Sequence, residues 1–232
     1  MLDAAQFSDW NPSHFLDVAE MTTALALGYD WLFHALSTRS KSKISAAIIE
    51  KGLIPSTKDG NDFWKDRAFN WNQVCNTGMA LGALAIYENN PELAQMILKR
   101  AKDGIKYPLV TYEPDGAYKE GPMYWIYGTT YHVVLVDAWN RIFEDEIEVN
   151  DAFLQSGKFM VHSYGTKGFF NYGDSRPDNR LSVALFWFAN KMNDQSILWN
   201  QKQYFEMSSQ ELDQDPNISN NYSNRLLYPM VL

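Results

Sequence analysis

Buried-type positions recur along this chain at helical spacing. Phe15, Val18, Thr22, Leu25, Tyr29 and Leu32 follow Pro12-Ser13 at alternating three- and four-residue steps, which predicts one stripe of a long helix. A second predicted helix carries Ile44, Ala47, Ile48 and Leu53, and Pro55 stops it after Gly52. Residues 55–70 are polar with embedded aromatics and show no helical period, which predicts a long loop of the kind that carries function. From Asn72 to Tyr87 the second half is apolar and small on every side, as in a helix buried all round. Asn90-Pro91-Glu92 then supplies an N-cap and an N1 proline for a partner helix with Leu93, Met96, Ile97 and Ile105. After a second loop, 107–121, Pro122 opens another all-round apolar helix reaching about Phe143. Asn150 caps an amphipathic helix with Phe153, Leu154 and Phe159. A third loop, 165–179, precedes two shorter helices near 181–191 and 194–205 and a polar tail at 206–232.

The heavier helices begin near 13, 72, 122 and 180, spacings of roughly 50 to 60 residues that suit successive helical hairpins. Strand signals are confined to 109–112 and 169–172, inside predicted loops. The predicted fold is all-α. Alternating buried and amphipathic helices suggest an inner and an outer layer, the plan of an incomplete α/α toroid over residues 1–205, followed by the polar segment 206–232.

Composition narrows the function classes. Hydrophobic types make up 46% of the 232 residues and charged types 21%, which excludes a chain that is mostly disordered. The formal charge of −8 is the wrong sign for a general binder of nucleic acid or anionic membranes. No apolar run spans a bilayer, and the N-terminus lacks the pattern of a signal peptide. Cys75 stands alone and in no nucleophile motif. His14, His34, His132 and His162 fit no metal-ligand spacing, and no phosphate loop or nucleophile elbow occurs, so no metal or cofactor is expected.

Asn, Gln, Tyr and Trp concentrate at two loop-to-helix junctions. Asn70, Trp71, Asn72, Gln73 and Asn76 form one group; Tyr118, Glu120, Tyr124, Trp125, Tyr127 and Tyr131 form the other. Tyr124, Tyr127 and Tyr131 are three and four residues apart, hence on one helical face. Such a face either packs as core or presents phenols to a cleft.

Four segments resemble signatures of the heparinase II/III-like polysaccharide lyases and their oligo-alginate lyase relatives: Asn-Pro-Ser-His-Phe-Leu-Asp-Val-Ala-Glu-Met at 11–21, Asn-Trp-Asn-Gln-Val-Cys-Asn-Thr-Gly-Met-Ala-Leu at 70–81, Asp-Gly-Ala-Tyr-Lys-Glu-Gly-Pro-Met-Tyr-Trp-Ile-Tyr-Gly at 115–128, and Asn-Tyr-Gly-Asp-Ser at 171–175. The resemblance spans most of the chain, and the third segment is its most specific part. The resemblance implies an α/α toroid joined to a C-terminal β-sandwich region, β-elimination on a uronic-acid polysaccharide, and a periplasmic or secreted parent. This sequence ends after its helices and has no counterpart of the family's later catalytic histidine, so it is expected to be an excerpt of a larger enzyme.

Carried over by position, the resemblance assigns carboxylate neutralisation to Asn72 and Gln73, with Gln73 standing where some relatives have histidine. It assigns proton transfer to Tyr127, with Tyr124 as the competing choice. Trp71, Asn76, Arg67, Trp125, Tyr131, Glu120, His14 and Arg176 are the expected substrate contacts. The expected partner is an acidic polysaccharide or oligosaccharide, with neither nucleic acid nor a membrane span. Two alternatives stand beside this: a toroid glycoside hydrolase using Glu120 and Asp174 as its two carboxyl groups, and a glycan-binding toroid without turnover.

Overall fold

The computed structural model describes residues 1–165, 168–170, 172–175, 181–203 and 206. They are predominantly helical, and the fold is all-α. The described residues form two compact units, Met1–Val110 with Leu135–Ile147, and Thr111–Val134 with the described residues from Glu148 onward.

In the first unit α1, Phe15–Trp31, buries Phe15, Val18, Ala19, Thr22, Leu25, Ala26 and Tyr29, the predicted stripe. Leu32 falls outside it. The helix stops at Trp31 and the chain tightens into a 3-10 turn, Phe33–Ala35, leaving Leu32 exposed. Ser37 caps α2, Thr38–Ala47, its hydroxyl accepting from Ser40 N–H at 3.1 Å. The predicted single second helix instead widens into a π-helical turn at Ile48–Leu53. Ile48 and Leu53 are five apart and both fully buried, and a five-residue turn keeps both on the core side.

The helix α3, Asn70–Ala85, is buried on almost every side because α1 and α4 both pack on it. Its glycines permit this. A Cβ on Gly78 would lie 2.5 Å from the Ala19 carbonyl oxygen, and one on Gly82 would lie 2.5 Å from Thr22 Cγ2. At Gly78 the backbones of α1 and α3 approach too closely for any side chain, and at Gly82 the Thr22 side chain fills the space. Asn90 Oδ1 accepts from Leu93 N–H at 3.3 Å and starts α4, Pro91–Gly104, as its sequence predicts. The helix buries Ala94, Ile97, Leu98 and Ala101 but turns Met96 to solvent, where the periodicity had placed it inside.

In the second unit, α5 (Pro122–Ile142) begins; its residues from Leu135 on belong to the first unit. Asn150 Oδ1 accepts from Phe153 N–H at 2.8 Å and caps α6, Asp151–His162. Phe153 is the hub of an aromatic core, its ring 4.8 Å from Tyr112, 4.5 Å from His132 and 5.3 Å from Phe188 of α7, Ala184–Met192. α7 ends where Asn193 adopts φ 51, a left-handed stop that asparagine tolerates. Of the two strand signals, 109–112 is part of a 3-10 turn, Tyr107–Tyr112. The other is a minimal antiparallel hairpin, β1 (Tyr164–Gly165) with β2 (Gly168–Phe169). Near the end, Asp194 caps a 3-10 turn, Gln195–Leu198, that leads into helical residues 199–203. The polar segment beyond Glu206 lies outside the described residues, as do Arg176 and Asn171. Among the described residues no helix is long and apolar enough to cross a membrane.

Candidate functional site

The start of α3 holds the predicted amides, and the structure puts them inside. Asn72, Gln73 and Asn76 are all fully buried, as is expected on a helix packed from several directions. Asn72 Nδ2 donates to the Lys65 carbonyl at 3.0 Å, and Asn76 Nδ2 donates to Asn72 Oδ1 at 3.0 Å and to Lys65 O at 3.4 Å. Gly104 of α4 closes the same spot, since a Cβ there would lie 2.4 Å from Lys65 O. These amides therefore pin the loop preceding α3. Acting as a donor to a ligand, Asn72 would first have to surrender Lys65.

Arg100 on α4 fixes the other end of that loop, donating to Ser56 O at 2.7 Å and to Ser56 Oγ at 2.9 Å, with its guanidinium 5.2 Å from the Trp64 ring. Trp64 is fully buried against Phe15, and its indole N–H donates to Asn61 O at 2.7 Å. Burial lowers the Arg100 pKa from its ordinary value, while the nearby Asp62 and Cys75 oppose that shift. Cys75 itself is buried, and desolvation pushes its thiol well up, the state of an inert packing residue.

On the outside of the pinned loop lies a group of rings. Trp71, half-buried, has its ring 4.9 Å from His14, 5.3 Å from Phe63 and 6.3 Å from Phe69. His14 and Trp71, far apart in sequence, are thus brought together. His14 Nδ1 lies 3.0 Å from Asp17 Oδ1, and Asn11 Nδ2 donates to Asp17 Oδ2 at 2.7 Å. Asp17 has its pKa lowered, first by the bond from Asn11 and then by that from His14. Arg67 is exposed, its nearest carboxylate being Asp66 at 4.0 Å.

In the second unit, two of the sequence segments meet. Ser175 Oγ accepts from Met123 N–H at 3.0 Å and donates to Glu120 O at 3.1 Å, and Tyr172 donates to Tyr118 O at 2.6 Å. Gly121 has φ 86, and a Cβ there would meet Ser175 Oγ at 2.3 Å, so the junction is built around a residue without one. Half-buried Glu120 accepts from the Tyr118 hydroxyl at 3.2 Å. Tyr118 is buried; desolvation, then the neighbouring Tyr112 and Glu120, push its phenol far above the ordinary range, so it serves as a fixed donor. Along α5, Tyr124, Tyr127 and Tyr131 are half-buried, with the Tyr127 and Tyr131 rings 5.7 Å apart, edge to face. Trp125, expected to touch substrate, is fully buried and packs 5.6 Å from Phe188; its position on α5 turns it into the aromatic core. Asp174 is exposed.

Sequence reasoning assigned no role to Asp17, Phe63, Arg100, Tyr118 or Ser175. Asp17 was signalled by its place three residues after His14, and Ser175 by its place in a quoted segment. Arg100 and Phe63 carried no local signal, because their partners lie elsewhere in the chain. Neither the protein-family models nor the curated proteins compared with this chain give a match.

Proposed function

We propose that this chain is the helical part of a polysaccharide lyase that cleaves a uronic-acid-containing glycan by β-elimination, with Tyr127 moving the proton. One observation carries the reading beyond the sequence segments. The Glu120–Pro122 junction, capped by Ser175, starts a helix bearing a row of half-buried phenols at Tyr124, Tyr127 and Tyr131, packed enough to be fixed and open enough to be reached.

In the reaction a base takes the proton from C5 of the uronate, electrons shift into a C4–C5 double bond, and the C4–O bond breaks as its oxygen gains a proton. The C5 proton is acidic enough only if the carboxylate charge is met by donors. A phenolate is basic enough for the first transfer, and the phenol it becomes can protonate the leaving oxygen when both groups lie on one face of the sugar. Buried Tyr118 donates to Glu120, and desolvation raises its pKa, which makes it a poor base. Tyr127 fits it better.

A second reading has its own observation. Because Ser175 bonds the Glu120 carbonyl, the stretch carrying Asp174 packs against the one carrying Glu120, as two carboxyl groups for hydrolysis would require. Product analysis decides. Incubation of the protein, in its full natural reading frame, with alginate and with glycosaminoglycans should yield unsaturated uronate ends absorbing in the ultraviolet. Reducing ends without that absorbance would favour hydrolysis, and no cleavage would remove both enzymatic readings.

A further inference from the structure

The outer face of the loop before α3 holds an arrangement that packing does not require. Phe63 is 46% exposed and the His14 side chain 52% exposed, yet both are held against half-buried Trp71 by specific ring contacts. Phe69 lies nearly parallel to Trp71, at an interplanar angle of 15°. These rings stay partly exposed and so remove less apolar surface from water than a core cluster does. Ordering a loop with little regular structure costs backbone entropy at every residue. The anchors that offset this cost are buried ones: Arg100 on Ser56, Trp64 on Asn61, and Asn72 on Lys65. What they hold in place is the position of the rings.

The polar edge is equally fixed. A carboxylate only accepts, so the contact with Asp17 requires the proton on His14 Nδ1, and in the neutral ring Nε2 is then the acceptor. Asp17 is itself held by Asn11, and Asn11 Oδ1 accepts from Ser13 Oγ at 2.6 Å. Flat aromatic faces beside an oriented acceptor match a pyranose ring, which offers an apolar C–H face and hydroxyl donors at its rim.

We propose that Trp71 and Phe63, with His14 at their edge, form a stacking platform for one pyranose residue of an acidic oligosaccharide. The sugar's C–H face lies on the indole ring, with the Phe63 ring, inclined 49° to it, as a flanking wall, and one hydroxyl donates to His14 Nε2. The acidic character of the ligand rests on the lyase reading; the stacking geometry stands on these residues alone.

The test is calorimetric titration of oligouronates into the full protein and its variants, run beside an assay for unsaturated product. Trp71→Ala and Phe63→Ala should each weaken binding roughly three- to tenfold, with His14→Ala toward the lower end. Thermal unfolding should change little in Phe63→Ala, whose ring is nearly half exposed, so that variant stays informative if Trp71→Ala misfolds. Wild-type affinity in folded Phe63→Ala and His14→Ala overturns the platform and leaves the lyase reading standing. Binding weakened by these changes in a protein that forms no unsaturated product supports the platform and removes the lyase reading. A wild-type protein that neither binds nor cleaves any oligouronate overturns both.

Discussion

Ser175 caps the helix that carries Tyr127: its hydroxyl accepts from Met123 N–H at 3.0 Å while donating to the Glu120 carbonyl at 3.1 Å. One side chain thus closes the first turn of α5 and ties it to the segment before it. Ser175→Ala should lower stability by about 1 kcal/mol, the usual worth of a helix cap, measured by denaturant unfolding. An unaltered unfolding midpoint would mean that the cap contributes nothing.

The Asn72 amide bonds the Lys65 carbonyl from a fully buried position. Asn72→Ala should therefore destabilise the protein by about 1–3 kcal/mol, the range for stranding a buried polar partner, and speed proteolysis between residues 55 and 70. A variant with wild-type stability and protease resistance but lost turnover would return Asn72 to the substrate-contacting role its sequence context suggests.

These two cases show what the sequence makes legible. Caps are local, so Asn90 and Asn150 could be identified from their neighbours and both form the expected bonds. The stripe of α1 and the all-round burial of α3 also follow from spacing. The π-helical turn at Ile48–Leu53 was not legible, because it depends on which residues must face the core together. Nor was the burial of Trp125: on a helix apolar on every side, spacing does not say which ring meets Phe188 and which meets solvent. The site's amides were visible as a cluster, but their partner, the Lys65 carbonyl, is a backbone atom that no side-chain pattern announces.

Gly78 sits where α1 and α3 nearly touch, a Cβ there falling 2.5 Å from the Ala19 carbonyl oxygen. Backbone cannot yield as a flexible side chain can. Gly78→Ala should destabilise by about 1–3 kcal/mol or more, in spite of alanine's higher helix propensity. Calorimetric unfolding at or above the wild-type temperature would show that the helices have room to part.

His132 is fully buried beside Phe153, and desolvation lowers its pKa to about 3 from an ordinary 6.5. Between those values the unfolded chain binds a proton that the folded one refuses, so stability falls as pH is lowered from about 6.5 toward 3. The slope contributed is at most about 1.4 kcal/mol per pH unit. The stability gap between wild type and His132→Gln should shrink, or shift in the variant's favour, from pH 7 to pH 4. A gap constant across that range would show that His132 is protonated in the folded state as readily as in the unfolded one.

The proposed proton-transfer role of Tyr127 is separable from packing, since Tyr127→Phe removes only the phenolic oxygen. Initial rates of unsaturated-uronate formation should be compared for wild type, Tyr127→Phe and Tyr124→Phe, in the full natural reading frame, on whichever acidic glycan the wild type cleaves. The Tyr127 variant should fold normally and lose roughly 10²- to 10⁴-fold in rate, with the Tyr124 variant close to wild type. A Tyr127→Phe protein that eliminates at the wild-type rate would contradict the assignment.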